Sequence, residues 1–256
     1  MVASIRVFGL DSSVEIRFPD AASETLLDAA THAWSRCLVE RTVSREAEPL
    51  DAQPPADATD TGRAAALQML TQDVTQRLIA SQVGDLLMLH AGAVSHPETG
   101  ESLVFVAPGG TGKTTLARVL GRHYGYLTDE TVGIDVASGR IHPYPKPLSL
   151  RLPARGPKEE ASPDELGLLW AHPEPTVGRV VVLRRSYDHY GSPRVTPLAT
   201  LDALEATIPE TSSLWRLPQP LNSLAKLGGA TGPVLLCSYA EARGLLPVAA
   251  DLIGDL

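Results

Sequence analysis

The sequence contains only two cysteines, Cys37 and Cys237, which lie far apart and match no metal-ligand spacing. We therefore expect isolated, buried thiols in a reducing compartment rather than a disulfide framework or a zinc site. The chain also lacks a run of about eighteen apolar residues and a basic-then-apolar leader at its N-terminus. From these two absences we expect a cytoplasmic protein without a membrane-spanning helix.

An excess of basic residues is missing as well. Lysine and arginine total 22, aspartate and glutamate total 30, and the net charge is −8. This balance argues against a general affinity for nucleic acid or an anionic membrane, although it permits a local basic site. With 43% hydrophobic residues in 256, the chain can bury a sizeable core, in one large domain or in one domain with a small appendage.

What the sequence does contain is a glycine-rich turn between a strand-like and a helix-like segment, LVFVAPGGTGKTTLARVLGR at residues 103–122. The glycines allow successive backbone N–H groups to point inward around phosphate oxygens, at the N-terminus of the following helix. Lys113 adds a charge for the β- and γ-phosphates, and the Thr114 hydroxyl can bind Mg²⁺. We interpret this segment as a phosphate-binding loop. The predicted nucleotide-binding residues are Gly109, Gly110, Thr111, Gly112, Lys113, Thr114 and Thr115.

The loop departs from the usual pattern G-x-x-x-x-G-K-[ST], because Ala107 stands where the first glycine would be. An alanine fits if it keeps ordinary strand dihedral angles and if the positive φ angles fall on Gly109 and Gly110. The alternative is a chance glycine-rich turn with a solvated lysine. A strand and a helix in the right places favour the phosphate-binding loop.

The remaining patterns predict an α/β fold. The strand before the loop forms a hairpin with the strand that precedes it, so we expect a mixed β-sheet rather than a wholly parallel one. Apolar runs and alternation predict strands near residues 5–10, 14–18, 86–94, 103–106, 126–136, 179–185, 193–198 and 234–237. Helical spacing predicts further helices over residues 21–38, 63–82, 201–208 and 239–253. We expect a solvated linker over residues 44–61, with an ordered surface loop as the alternative, and a mobile or partner-facing loop over residues 153–175.

An adjacent acidic pair, Asp129 and Glu130, follows the loop helix at the end of a predicted strand. A carboxylate beside the loop can hold the Mg²⁺ water shell or accept a proton from a hydroxyl nucleophile. Neighbours on a strand point to opposite faces, so at most one of the two faces the nucleotide directly, and we favour Asp129. The alternative is a solvated strand end.

His90 and Arg151 are further candidates. His90 interrupts an apolar strand before small residues that could admit a ligand, although a strand histidine is more often a core residue. In the extended segment 141–152, Lys146 or Arg151 could clamp γ-phosphate charge, or both could be solvated. We prefer Arg151, because its planar fork can bind two oxygens at once. The basic pair 184–185 ends a strand, and we assign it no role.

Four segments, LHAGAV, APGGTGKTT, LTDETVGID and PYPKPLSLR, occur in this order and resemble the HPr kinase/phosphorylase family. The resemblance is greater to its short bacterial relatives, the HPr-kinase-like serine kinases found with peptide-modification genes. It covers about residues 84–252 and implies a phosphoenolpyruvate-carboxykinase-like core, which is a mixed sheet with a P-loop. We therefore expect a small N-terminal β-hairpin and helix unit with a linker over residues 1–60, and a P-loop kinase-like domain over residues 61–256.

The resemblance also implies roles for single residues. His90 matches the histidine of the family's L-H-x-x-x-V strand, Lys113 matches the P-loop lysine, and Thr114 matches its Mg²⁺ ligand. Asp129 matches the proton-accepting first residue of the family's Asp-Asp pair, and Glu130 stands at the second position. This chain has P-L-S-L-R where longer members have E-I-R-G, so it lacks the metal-binding glutamate of that stretch.

Together these features predict an ATP-dependent kinase that uses ATP and Mg²⁺. The predicted catalytic residues are Asp129, His90, Lys113 and Arg151, and the predicted metal-binding residues are Thr114, Asp129 and Glu130. The acceptor would be a serine of a peptide or small protein, or a small-molecule alcohol. Two alternatives stay open, a non-catalytic ATP-binding switch or scaffold in a peptide-maturation complex and a simple NTPase. We expect no nucleic-acid or membrane partner, and the oligomeric state is open, a homo-oligomer included.

Overall fold

The computed structural model describes residues 2–151, 156–186, 191–230 and 232–256. The chain divides into two compact units, the first formed by Met1–Gln82 and Tyr144–Gly167 and the second by Val83–Pro143 and Leu168–Leu256. The predicted boundary lies near residue 60, whereas the long helix after that point and the later segment Tyr144–Gly167 both belong to the first unit.

Strands outnumber helices in the described part of the chain. In chain order, the strands are β1 (Ala3–Gly9), β2 (Ser12–Phe18), β3 (Arg45–Glu46), β4 (Leu50–Asp51), β5 (Leu87–Ser95), β6 (Glu101–Val106), β7 (Gly125–Thr128), β8 (Thr131–Ile134), β9 (Ile141–His142), β10 (Leu148–Leu150), β11 (Glu159–Ala161), β12 (Leu169–Trp170), β13 (Thr176–Arg185), β14 (Arg194–Pro197), β15 (Thr211–Ser212) and β16 (Leu235–Tyr239). The helices are α1 (Ala21–Glu24), α2 (Leu27–Ala33), α3 (Asp60–Ser81), α4 (Lys113–Leu120), α5 (Thr200–Thr207), α6 (Pro220–Ala230) and α7 (Leu246–Ile253). Short 3₁₀ helices cover Ser35–Cys37, Ile208–Glu210, Leu214–Arg216 and Ala242–Leu245.

The first unit is built on the predicted hairpin of β1 and β2, which pair in antiparallel register. Its turn is made by Leu10 and Asp11, whose φ angles are +52° and +55°. Two-residue turns with positive φ at both positions match the right-handed twist of the strands. Apolar side chains of the hairpin and of α3 share one core with Trp34 and Tyr144.

Two sequence predictions for this unit need correction. The segment 44–61 is not a plain linker, because β3 and β4 each pair in parallel with β2. The helix predicted over residues 21–38 is divided into α1, α2 and a 3₁₀ turn. The Thr25 hydroxyl donates to the Ala22 carbonyl where α1 ends, and such side-chain bonds to the backbone compete with a continuing helix.

The second unit contains a large mixed sheet with the order β12-β7-β5-β6-β13-β16-β14. The pairs β6–β13 and β13–β16 are parallel, whereas β5–β6, β5–β7 and β14–β16 are antiparallel. The predicted α/β fold with a mixed sheet is therefore confirmed. Buried aliphatic residues of β5, β6 and β13 form part of its core.

Some boundaries in the second unit also differ from the predictions. The strand predicted over residues 126–136 is two strands, β7 and β8, separated by a turn. The helix predicted over residues 239–253 begins only at Leu246, since β16 includes Tyr239 and a 3₁₀ helix covers Ala242–Leu245. The predicted loop 153–175 contains β11 and β12, and its residues 153–155 lie outside the described residues.

Both cysteines are free and buried, as predicted. Burial raises the pKa of the Cys37 thiol to about 12 and that of the Cys237 thiol to about 11. Because the thiolate is the reactive form, these are structural thiols. No helix in the described part of the chain has the length and apolarity to cross a membrane.

Candidate functional site

The glycine-rich loop connects the end of β6 to the start of α4 in the second unit. Gly110 and Gly112 take left-handed φ angles of +83° and +106°. The expected positive φ at Gly109 is wrong, since Gly112 takes that conformation instead. A Cβ atom built on Gly109 or Gly110 would meet nothing within 4 Å, so this side of the loop is open to a ligand. Ala107, in place of the usual glycine, is fully buried at the end of the strand.

Lys113 is the first residue of α4, and its side chain folds back into the loop. Its Nζ donates to the carbonyl oxygen of Ala107, and a second carbonyl, that of Pro108, lies 3.3 Å away. Burial lowers the pKa of Lys113, while the negative charges of Glu210, Asp129 and Glu130 oppose that shift. The ammonium group is therefore held inside the loop and within electrostatic reach of three carboxylates.

Strand register brings other candidates to the base of this loop. In β5, Ala91 pairs with Val106, the last residue of β6, so His90 lies beside the point where the loop begins. His90 itself pairs with Thr131 of β8, directly after Glu130. On the other side of β5, Thr211 of β15 pairs with Leu89, so the residue before it, Glu210, lies next to His90.

His90 is half-buried in this arrangement. Burial and the positive charge of Lys113 lower its pKa, while Glu130 and Glu210 act in the opposite direction. The structure thus places His90 within the charged cluster and not in an apolar core.

Asp129 and Glu130 occupy the turn between β7 and β8, not a strand as predicted. Asp129 is only 4% exposed, and its Oδ1 accepts a hydrogen bond from the Tyr126 hydroxyl at 3.2 Å. Glu130 is partly exposed. Because a turn does not alternate faces as a strand does, both carboxylates can influence Lys113, and they do.

The threonines of the loop differ in their surroundings. The Thr111 hydroxyl donates to the Pro108 carbonyl at 2.8 Å and so tightens the loop. Thr114 is partly exposed in the first turn of α4, and Thr115 is exposed. Within the described residues, no group of three or more His, Cys, Asp or Glu side chains is arranged to hold a metal ion.

Arg151 and Lys146 belong to the first unit. Lys146 is 1% exposed, and its Nζ donates to the Pro147 carbonyl at 2.9 Å, so the ammonium group is buried within the first unit. Arg151 is exposed at the last described position before residue 156. Its contact with a γ-phosphate stays a prediction.

Sequence reasoning missed three residues of this region. One is Glu210, which appears in the sequence only as a single acidic residue in a polar stretch and matches no motif. The other two are Arg185, at the end of β13, and Tyr239, at the end of β16. The Tyr239 hydroxyl donates to the Thr111 carbonyl at 3.2 Å. A Cβ atom built on Gly112 would lie 3.7 Å from both the Arg185 Nη1 and the Tyr239 hydroxyl.

An apolar cavity of about 320 Å³ lies elsewhere in the second unit, between α5, α6 and β13. Its lining contains no charged side chain. Ligand sites usually combine apolar walls with a few polar groups that fix orientation, and phosphate needs cations or N–H donors. The charged cluster at the loop is therefore the candidate site.

No protein-family model matches the chain, and no curated protein matches its sequence. Among solved structures, the chain is similar to the Hpr(Ser) kinase/phosphatase from Coxiella burnetii, with 11% sequence identity. The match covers 65% of this chain and 92% of that chain, and its TM-score is 0.30. The similarity is weak and concerns the fold alone. What the protein does must therefore be inferred from its own residues.

Proposed function

We propose that the protein is an ATP-dependent kinase that transfers the γ-phosphoryl group of ATP to a hydroxyl group. One observation carries the proposal. The glycine-rich loop at the N-terminus of α4 holds Lys113 at its centre, within electrostatic reach of the buried Asp129. A lysine cradled by a loop that is open to ligand is the arrangement that binds nucleotide phosphates, and the carboxylate adds a proton acceptor.

The loop would bind the phosphates through its backbone N–H groups. The left-handed angles at Gly110 and Gly112 change the direction of successive peptide groups, and α4 adds its N-terminal partial positive charge. Lys113 donates to neutral carbonyl oxygens, whereas a triphosphate offers charged acceptors, whose hydrogen bonds are about twice as strong. Nucleotide binding would therefore draw the ammonium group from the loop carbonyls to the phosphates.

The residues present fit Mg²⁺. The Thr114 hydroxyl and the carboxylates of Asp129 and Glu130 are hard oxygen ligands, and Mg²⁺ uses one or two carboxylates together with water and substrate phosphates. A preformed cage of three acidic residues is not needed for that. When bound, Mg²⁺ would neutralise charge on the phosphate oxygens.

Asp129 would act as the proton acceptor. As the acceptor oxygen forms its bond to the γ-phosphorus, the bond from that phosphorus to the bridging oxygen breaks, and its electron pair leaves with ADP. The hydroxyl proton passes to the Asp129 carboxylate. The Tyr126 hydroxyl, which donates to Asp129, would hold the carboxylate in position. The acceptor we propose is a serine hydroxyl of a peptide or a small-molecule alcohol.

Substitution of Asp129 by Asn tests this function. The amide keeps the shape of the side chain but accepts no proton, so transfer of γ-labelled phosphate to serine peptides or small alcohols should fall about 10²–10⁴-fold. Binding of MgADP, measured by calorimetry, should stay within a few-fold of wild type.

The matched control is Asp135→Asn. Asp135 follows β8 and accepts hydrogen bonds from the backbone N–H groups of Ala137 and Ser138, outside the charged cluster. This variant should retain full transfer. Transfer by Asp129→Asn within a few-fold of wild type would contradict the role of Asp129. Slow phosphate release that no acceptor changes would identify an NTPase or a nucleotide-binding switch instead of a kinase.

A further inference from the structure

Three parallel strands of the second unit end together beside the glycine-rich loop. The strands β6, β13 and β16 are neighbours in the sheet, so their carboxyl ends share one edge. β6 ends at the loop, β13 ends at Arg185, and β16 ends at Tyr239, which pairs with Arg185. Ligands of open α/β sheets bind at the carboxyl ends of parallel strands. Both side chains therefore stand where a ligand of the loop would lie.

Distances place both side chains directly against the loop. The Arg185 Nη1 and the Tyr239 hydroxyl each lie 3.7 Å from the Cβ position of Gly112. The Tyr239 hydroxyl donates to the Thr111 carbonyl, so it holds the loop from outside. The Arg185 Nε donates to the Ala240 carbonyl at 2.9 Å, which anchors the guanidinium with Nη1 beside Gly112.

Arg185 also forms an ion pair with Glu241, and this pair is weak. Its Nη2 lies 3.5 Å from Glu241 Oε1, and the Glu241 side chain is 79% exposed. Exposed ion pairs of this kind contribute little free energy, whereas a guanidinium and a phosphate can form two parallel charge-assisted hydrogen bonds. A phosphate held by the loop would therefore compete well with Glu241 for Arg185.

We propose that Arg185 binds a phosphate group of the nucleotide held by the glycine-rich loop, while Tyr239 positions the loop. The ligand class is a nucleoside di- or triphosphate. This inference rests on the proposed nucleotide-binding function and adds a cation to it that comes from the end of another strand. Arg185 would supply the second fixed positive charge beside Lys113, from within the same unit.

The test compares Arg185→Gln with Arg184→Gln. Both variants lose one positive charge. Arg184 is a matched control because it precedes Arg185 on β13, is exposed, and points to the opposite face of the strand. In calorimetry with MgADP, Arg185→Gln should weaken binding about 10- to 100-fold, the range expected for losing a charge-assisted contact. Arg184→Gln should bind as wild type does.

Two further variants separate phosphate binding from a structural role. Arg185→Lys keeps the positive charge but loses the planar guanidinium group, so its affinity for MgADP should lie between those of wild type and Arg185→Gln. Glu241→Gln removes the competing carboxylate and should bind MgADP at least as tightly as wild type. Circular dichroism melting of each variant reports its stability independently.

Two results would overturn the inference. One is that Arg185→Gln and Arg185→Lys bind MgADP like wild type while Lys113→Ala binds weakly, because the nucleotide site would then be real and independent of Arg185. If the Arg185 variants also melt at a lower temperature while their affinity is unchanged, the role of Arg185 is structural only. The other is that wild-type protein binds no MgADP, which would overturn the proposed function as well.

Discussion

Alanine substitutions of the three loop glycines test the loop conformation on which the site depends. Gly110 and Gly112 have φ angles of +83° and +106°, whereas Gly109 is not among the glycines with positive φ. An L-residue held in the left-handed region costs roughly 1–2 kcal/mol. An alanine at Gly109 adds no such strain and meets open space. It should leave the free energy of unfolding unchanged or raise it by about 0.4–1 kcal/mol, because it reduces the entropy of the unfolded chain.

The size of the effect follows from the surroundings of each glycine. A Cβ atom at Gly112 would meet its nearest neighbours at 3.7 Å, an ordinary van der Waals distance, and one at Gly110 would meet nothing within 4 Å. Both substitutions should therefore cost only the backbone strain. For a chain of this size that lowers the melting temperature by roughly 2–8 °C.

Differential scanning calorimetry of the three variants, with Gly109→Ala as the matched control, measures these shifts. Calorimetry is preferable to a single optical probe because the chain has two compact units, and chains with several domains often depart from two-state unfolding. An equal loss of stability in all three variants, or no loss in Gly112→Ala, would refute the described loop conformation.

Two other predictions follow from the charged cluster. Folding lowers the pKa of His90 from 6.5, so the unfolded chain binds this proton more readily and stability should fall as the pH drops below about 6.5. Between pH 7.5 and 5.5 the melting temperature should therefore fall less in His90→Gln than in wild type, whereas the exposed control His123→Gln should behave as wild type does. An unchanged pH dependence of the melting temperature in His90→Gln would contradict the burial of His90. Glu210 exerts the largest negative-charge effect on Lys113, so Glu210→Gln should tighten binding of ADP without Mg²⁺ by roughly two- to fivefold. The exposed control Glu205→Gln should bind as wild type does, and equal affinities of Glu210→Gln and wild type in calorimetry would place Glu210 outside the site.

The part of the site that is contiguous in sequence could be predicted from it. A strand, a glycine-rich turn and a helix follow one another within twenty residues, and the structure has all three. The exact glycines with positive φ could not be predicted, because the pattern leaves several ways to turn the chain. The Asp129–Glu130 pair lies within electrostatic reach of Lys113, but in a turn that the sequence pattern of residues 126–136 did not reveal.

The parts assembled from distant segments could not be predicted. Glu210 reaches His90 only because β15 pairs with β5, and Arg185 reaches the loop only because β13 lies beside β6. Strand order and register are properties of the folded sheet, and a short strand such as β15 carries no hydrophobic pattern of its own. The return of the segment 144–167 to the first unit likewise joins parts of the chain that are distant in sequence.

The central claim is that the glycine-rich loop binds a nucleotide through Lys113. Isothermal titration of MgADP and MgATP into wild-type protein and into Lys113→Ala tests it most directly. The account predicts Mg²⁺-dependent binding of both nucleotides by wild type. The loss of the ammonium contact should weaken that binding by about 1–3 kcal/mol, roughly 5- to 150-fold. Equal affinity of the variant and wild type, or no binding by either, would contradict the account.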